Sequence, residues 1–453
     1  MTSTPDPGTA RRRFATVTFL FWLPVGLYLP AQVLLLGERG MSLATVAGLF
    51  AVHSLTVTVL ELPTGGLSDV VGRRAVLVAA GVLNTAALVL LALGTAVWVL
   101  ALAMVMMGTG RALSSGPAEA WYVDTVQAHS GPDAELRTGL ARGGTASAAA
   151  LAVGTLCGGG LPWLLGLGPD VGARLSGATS GLVPPLSVPA LLGAAVGVVF
   201  TVYVLTALPE PPRPPAGVRG MLRDVPDTVL GGLRLGVGSS LVRRVLLSAA
   251  AAGTALAAIE LLAPGRSADL TGAPESGALL FAALACAGFV CTALGSHCAP
   301  LVARLAGGGE RGVMVGLGLG ATGMVLLGAT VVWSGPVALS LAATGYALVY
   351  LGLGTAGPNE NELLHHRVDS AGRATALSVQ SLALQLAGAL AGLVAGALPP
   401  GPLPWLAGGT VLLAVALLWA HAAVVGAPPR RPGTPSSEAL DGAGSAPAPV
   451  IGP

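Results

Sequence analysis

Long apolar runs recur along this chain, each ended by a short polar break. A helix that crosses a bilayer needs about 20 apolar residues. Gly or Pro inside it is tolerated where neighbouring groups satisfy the freed backbone. That rule predicts spans at 14–36, 43–65, 75–95, 97–119, 141–162 and 186–208, then at 244–264, 276–302, 311–333, 336–357, 373–397 and 403–426. The fifth run, rich in Gly and Ala, carries the weakest signal. The expected organisation is a cytoplasmic N-terminus over 1–13, a six-helix bundle over 14–208, a cytoplasmic loop over 209–243, a second six-helix bundle over 244–426 and a disordered tail over 427–453. The loop opens with Pro209-Glu210-Pro211-Pro212-Arg213-Pro214-Pro215, which is stiff and extended, and continues into a weakly amphipathic piece near Met221–Leu235.

Composition agrees with that pattern. Hydrophobic residues make up 53% of the chain, charged ones 10%, and mean hydropathy is +0.77. Soluble domains carry about 25% charged residues, so the exterior of this protein must face lipid. All 23 basic residues are arginine, a coding bias of GC-rich bacteria. Cys157, Cys286, Cys291 and Cys298 lie in apolar segments without metal-ligand spacing and are expected to be small buried hydrophobes. Arg11–Arg13 followed by an apolar run looks like a signal peptide. Its core is too long and no small-residue cleavage site closes it, so it is predicted to be the first span.

The arginines test the helix count. With the N-terminus inside, 19 of 23 fall on the cytoplasmic side, Arg39, Arg174 and Arg266 fall outside, and Arg111 lies within the fourth span. A miscounted helix would scramble this positive-inside asymmetry. The two halves also echo each other. Gly116-Pro117-Ala118-Glu119 is expected to end the fourth span, and Gly357-Pro358-Asn359-Glu360 the tenth. Pro30 and Pro264 are expected to close the first and seventh, and Arg142 and Arg373 to lead the fifth and eleventh. The shared order points to a duplicated six-helix unit.

After the second span comes Gly65-Gly66-Leu67-Ser68-Asp69-Val70-Val71-Gly72-Arg73-Arg74. This resembles the signature loop between helices two and three of the major facilitator superfamily, with Val70 where that family usually has a basic residue. The likeness covers residues 14–426. It implies an all-α integral membrane protein of twelve transmembrane helices in two pseudo-symmetric bundles, with helices one, four, seven and ten lining a central cavity. It also implies a cytoplasmic latch in which Asp69 faces the N-terminus of helix eleven near Arg373, and Arg73 pairs with Asp124 or Glu119. Gly65 and Gly72 allow the tight turn, and a dipole would favour Asp69 at a helix N-terminus. The plainer alternative is that Asp69, Arg73 and Arg74 are solvated topology markers.

Ionisable residues inside a span are costly and by default functional. Glu260, in the outer half of the seventh helix, is a candidate proton carrier or cation ligand, or else a hydrated acid near the outer mouth. Arg111, in the inner half of the fourth, is a cavity candidate or a packing arginine. Glu61 is expected at the cytoplasmic gate, His53 is a titratable cavity candidate or a hydrogen-bonded core histidine, and Glu360 and Glu362 are a second gate element. Tyr28, Gln32, Tyr346 and Tyr350 are candidates to shape the cavity, with packing as the alternative.

The expected function is secondary transport of a small solute across the bacterial cytoplasmic membrane, as proton-coupled export of hydrophobic or cationic compounds. Import or uniport of a metabolite is the alternative, followed by a non-transporting sensor or an intramembrane enzyme. The fifth span reads Gly154-Thr155-Leu156-Cys157-Gly158-Gly159-Gly160-Leu161-Pro162 and lacks the Gly-Pro step of many exporters in that superfamily. The sequence has no phosphate-binding Gly-x-x-x-x-Gly-Lys-Ser/Thr loop and no lysine, which disfavours a nucleotide-driven pump. No cofactor, metal or nucleic acid is expected, and the protein is expected to be a monomer in the lipid bilayer.

Overall fold

The computed structural model describes residues 5–65, 67–209, 239–367 and 370–425, except for the side chains of 62, 63, 65, 69, 365–367, 370–378 and 422–425. Twelve helices among the described residues are long and apolar enough to cross a membrane. We label them α1 (Pro7–Glu38), α2 (Leu43–Gly65), α3 (Arg73–Leu93), α4 (Val97–Ser114), α5 (Arg137–Leu165) and α6 (Val188–Ala207), then α7 (Ser240–Thr271), α8 (Pro274–Ala306), α9 (Gly309–Ala329), α10 (Gly335–Arg367), α11 (Ser370–Ala397) and α12 (Leu403–Val425). Short helices at Leu67–Val71, Pro117–Ser130 and Val171–Ala178 lie between spans. The all-α fold in two related six-helix halves is the one expected. The piece near Met221–Leu235, the tail after residue 426 and Gly66 lie outside the described residues.

Several expected ends fall elsewhere. Asp6 caps α1, its carboxylate accepting from the amides of Gly8 at 2.9 Å and Thr9 at 3.1 Å, so Arg11–Arg13 are already helical. The same contacts, led by the Thr9 hydroxyl, hold the Asp6 carboxyl below its usual range. Pro30 and Pro264 do not close α1 and α7 but sit inside them. In the C-terminal half, Pro358 lies inside an unbroken α10. In the N-terminal half the same Gly-Pro pair breaks the helix. Gly116 takes φ 96°, and Pro117 starts a new helix without needing an amide partner. The glycine-rich α5 is one continuous span.

Within each half, helices meet where glycines remove the side chain. A methyl on Gly26 of α1 would lie 2.7 Å from the Leu151 carbonyl oxygen of α5, and one on Gly154 would lie 2.6 Å from that of Leu23. The C-terminal half does the same between α9 and α10, at Gly316 with Gly352 and at Gly323 with Gly345. Lipid supplies no hydrophobic drive between helices, so such close backbone approach is what holds them.

A second device repeats in both halves. Helix C-termini leave unpaired carbonyls. Arg39, just past α1, donates to Leu91 O at 2.7 Å, to Gly94 O at 2.6 Å and to Ala92 O, all at the end of α3. Arg266, near the end of α7, donates to Trp333 O at 3.0 Å and to Thr330 O, at the end of α9. Two of the three arginines placed against the positive-inside trend therefore cap partner helices on the face opposite the start of α1, here called the far face. Charged donors at a helix C-terminus also oppose the negative end of the dipole.

Replacing Arg39 or Arg266 with Met is expected to cost about 2 kcal/mol each, read as a lower melting temperature in detergent. Exposed Arg174 is the control and its Gln variant should melt with the parent. Equal melting of all three would remove the capping role.

Candidate functional site

The two halves seal against each other on the far face. Gly396 of α11 packs on Ala47 of α2, where an added methyl would sit 2.7 Å from the Ala47 side chain. Gly159 of α5 lies as tightly on Ala278 of α8. Val33, Leu36, Val46 and Ala47 form one apolar cluster with Leu261 and Ala395, and Ala31, Leu34 and Leu35 form another with Ala278.

Behind this seal three cavities run in a row toward the near face, where α1 begins. The first, of about 110 Å³, lies between α2, α7 and α11 and is lined by Phe50, Ser54, Glu260 and Gln385. The second, of about 150 Å³, lies in the N-terminal half and is lined by Trp22, Tyr28, His53, Asn84 and Arg111, with Gln385 again in its wall. The third, of about 380 Å³, contains Thr18, Ser114, Glu119 and Ser147 and shares Trp22 and Arg111 with the second. The first and second cavities have Gln385 in common and the second and third Trp22 and Arg111, so the three adjoin in order from Glu260 toward the near face.

Glu260 lies about 30 Å along α7 from its start at Ser240. Its side chain is open to the cavity, and among the described residues it has neither a hydrogen-bond partner nor a counter-ion. Tyr28, Tyr346 and Tyr350 lie within its electrostatic range. Tyr346 and Tyr350 stack one turn apart on α10, centroids 4.8 Å apart, and their hydroxyls meet at 3.4 Å. Phe281 closes edge-on against Tyr346 at 6.4 Å. Gln32 is buried, with its amide 3.9 Å from the Met104 sulfur, so it belongs to the packing between α1 and α4.

Arg111 rests its guanidinium 5.0 Å above the Trp22 ring. A cation over an indole face is stabilised by the ring quadrupole. Glu61, Tyr28 and His53 lie within its electrostatic range, and no described residue pairs with it. Arg111 and Glu260 do not meet directly.

The near-face ends are held within each half. Arg73 is buried, pairs with Asp124 and donates to Ala120 O. Glu119, the other expected partner, is exposed on the wall of the third cavity instead. Arg74 is half-buried at the start of α3, beside the positive-φ turn at Gly72. The side chains of Asp69 and Arg373, and with them the expected latch, lie outside the described residues, as does that of Gly65. Glu61 accepts from the Ser381 hydroxyl at 3.4 Å, bridging α2 and α11 across the halves.

In the C-terminal half Arg244 pairs with Glu310 at 3.2 Å and lies 4.5 Å above the Trp419 ring, whose indole donates to Ser248 Oγ at 2.9 Å. Buried Glu360 sits beside Ser248, while Glu362 is exposed. Sequence reasoning missed Arg244, Glu310, Trp419 and Ser248. Arg244 and Glu310 are readable as helix-start residues, but the meeting of the four across three helices is not. It also missed Gln385 and Asn84, neutral amides that carry no charge signal.

The sequence matches the family described as Major Facilitator Superfamily over residues 14–392. No curated protein matches it. Among solved structures, a mutant form of the nucleoside transporter NupG superposes with TM-score 0.68 at 13% identity, covering 92% of this chain and 99% of that one. A D-xylose-proton symporter superposes with TM-score 0.67 at 16% identity, covering 91% and 97%. A bacterial homologue of the human lysosomal transporter Spinster, inward-facing and unoccupied, superposes with TM-score 0.67 at 15% identity, covering 93% and 96%.

The far-face seal is open to direct test. Val46→Cys combined with Ala395→Cys, two positions of one far-face apolar cluster, with the four native cysteines replaced by Ala, is expected to cross-link through a short bifunctional thiosulfonate in resting membranes. Folded protein that fails to cross-link would place the resting opening on the far face.

Proposed function

The chain belongs to the major facilitator superfamily, and from that premise we propose that it is a secondary transporter working by alternating access across a bacterial cytoplasmic membrane, with both termini cytoplasmic. The near face is then the cytoplasmic one, with the far-face seal closed and the Glu61–Ser381 contact still spanning the halves on the near side. The observation that carries this is the row of cavities leading from Glu260 to the near face behind a sealed far face. A carboxylate with no counter-ion at the closed end of such a path is suited to carry a proton, and Glu260 is assigned that role.

Proton-driven export is the first direction. It is supported by the mainly apolar walls of the first two cavities and by an acid that answers a cationic group. Symport inward is the second, supported by the likeness to a D-xylose-proton symporter. Gly65, Asp69, Gly72, Arg73, Arg74, Asp124, Glu119, Glu61 and Arg373 form the proposed cytoplasmic gate. Arg111, His53, Tyr28, Tyr346 and Tyr350 join Glu260 along the substrate path, and Gln32 supports it from the core. The Arg73–Asp124 pair lies within one half, so it stiffens that half. Glu61 with Ser381 is the described gate contact that crosses between halves.

Proton movement in inverted vesicles with a respiration-driven gradient tests this. Dequenching of a pH-sensitive dye on adding a solute is expected, and its loss in Glu260→Gln would assign coupling to Glu260. Dequenching that survives the substitution would make Glu260 structural. Solute accumulation with inward protons in right-side-out vesicles would select symport, and folded protein inactive in both would sink proton coupling.

Asp69→Asn should leave folded protein in the membrane and cut transport at least tenfold, roughly the 1.4 kcal/mol of one lost charged contact. Unaltered transport would reduce the signature loop to a topology marker.

A further inference from the structure

We propose that the cavity row takes a zwitterion: a small amphipathic molecule whose carboxylate meets Arg111 and whose ammonium group meets Glu260. This rests on the transporter reading and narrows its substrate class. Arg111 lies over the Trp22 ring with Glu61 in its wider electrostatic range but no described residue paired with it, and Glu260 has no hydrogen bond or counter-ion among the described residues. A charge held in a membrane protein without a partner is costly, and such charges are ordinarily paired. Here two opposite charges stand apart, one in each half, and open into adjoining cavities that share Gln385. Tyr28, in the wall of the cavity that holds Arg111, lies within electrostatic range of both charges.

Asn84 also lines the cavity that holds Arg111, with its Oδ1 packed against Gly110. A single cation would answer Glu260 and leave Arg111 with only the unpaired, longer-range charge of Glu61, and a single anion would leave Glu260 unanswered. A dipolar ligand answers both, and because its two ends engage different halves it would tie substrate occupancy to their relative position. The competing arrangement is an anion on Arg111 with a proton on Glu260.

The test uses the full chain in lipid nanodiscs and matched triplets: L-phenylalanine, phenethylamine and 3-phenylpropanoate, then L-leucine, isoamylamine and 4-methylpentanoate, with the dipeptide Gly-Phe. Affinity is read from thermal stabilisation across a concentration series. In at least one triplet the zwitterion is expected to bind tenfold or more tighter than its amine and its acid, about the effect of one charged contact. Arg111→Gln should lower zwitterion binding to the level of the amine, and Glu260→Gln to that of the acid.

An acid or amine that binds the parent protein as tightly as its zwitterion, or no stabilisation by any zwitterion of the panel, overturns the proposal. Tight acid binding that persists in Glu260→Gln identifies the anion-and-proton arrangement instead. The comparison on the parent protein decides the matter even if a variant fails to fold. Uptake in proteoliposomes separates the two levels. A zwitterion that binds and is not moved refutes transport and keeps the site, whereas movement of amines or acids alone keeps transport and refutes the site.

Discussion

Hydrocarbon offers helices no reason to associate by burial alone, because lipid tails are as apolar as the side chains they would replace. What remains is close packing, and this chain obtains it from its 66 glycines. The α1–α5 crossing at Gly26 and Gly154 and the α9–α10 crossings at Gly316 and Gly323 bring backbones close enough that a single methyl would collide with a carbonyl oxygen. The same chemistry operates between the halves, at Gly159 against Ala278 and at Gly396 against Ala47. The far-face seal and the internal scaffold of each half therefore depend on one physical device.

Dense packing on one face leaves the polar work to the space behind it. Interior polar groups that serve structure have partners: Asn359 donates to Thr355 O at 2.8 Å, and Trp419 donates to Ser248. The two charges that line the cavities do not, for Glu260 and Arg111 lack counter-ions among the described residues. That contrast singles out these two charged side chains.

Helix number and order are readable because apolar run length is a one-dimensional property, and twelve such runs survive errors of several residues at their ends. The signature loop is readable because it is contiguous. Prolines mislead because sequence shows a missing donor but not the neighbours that let a membrane helix continue past it, so Pro30, Pro264 and Pro358 look like ends and are not. Arg39 and Arg266 are visible only as exceptions to a charge rule, since their partners lie more than fifty residues away. Sequence narrows the Arg73 partner to two acids. Only three dimensions separate Asp124 from Glu119.

The matching Gly-Pro steps have opposite geometric consequences. In α10 the helix continues from Gly335 to Arg367, past the tyrosine pair and Glu360, although Pro358 donates no amide and the Gly354 carbonyl accepts from the Ser296 hydroxyl at 3.1 Å instead. In the N-terminal half it is interrupted at Ser115 and Gly116, below Arg111 and above Asp124. One half thus keeps its helix through the Gly-Pro step and the other turns at it. The turn re-aims the residues that follow, so that Asp124 meets Arg73 while Glu119 stays on the cavity wall. The two halves, alike in helix order, therefore build their near-face ends from different geometry.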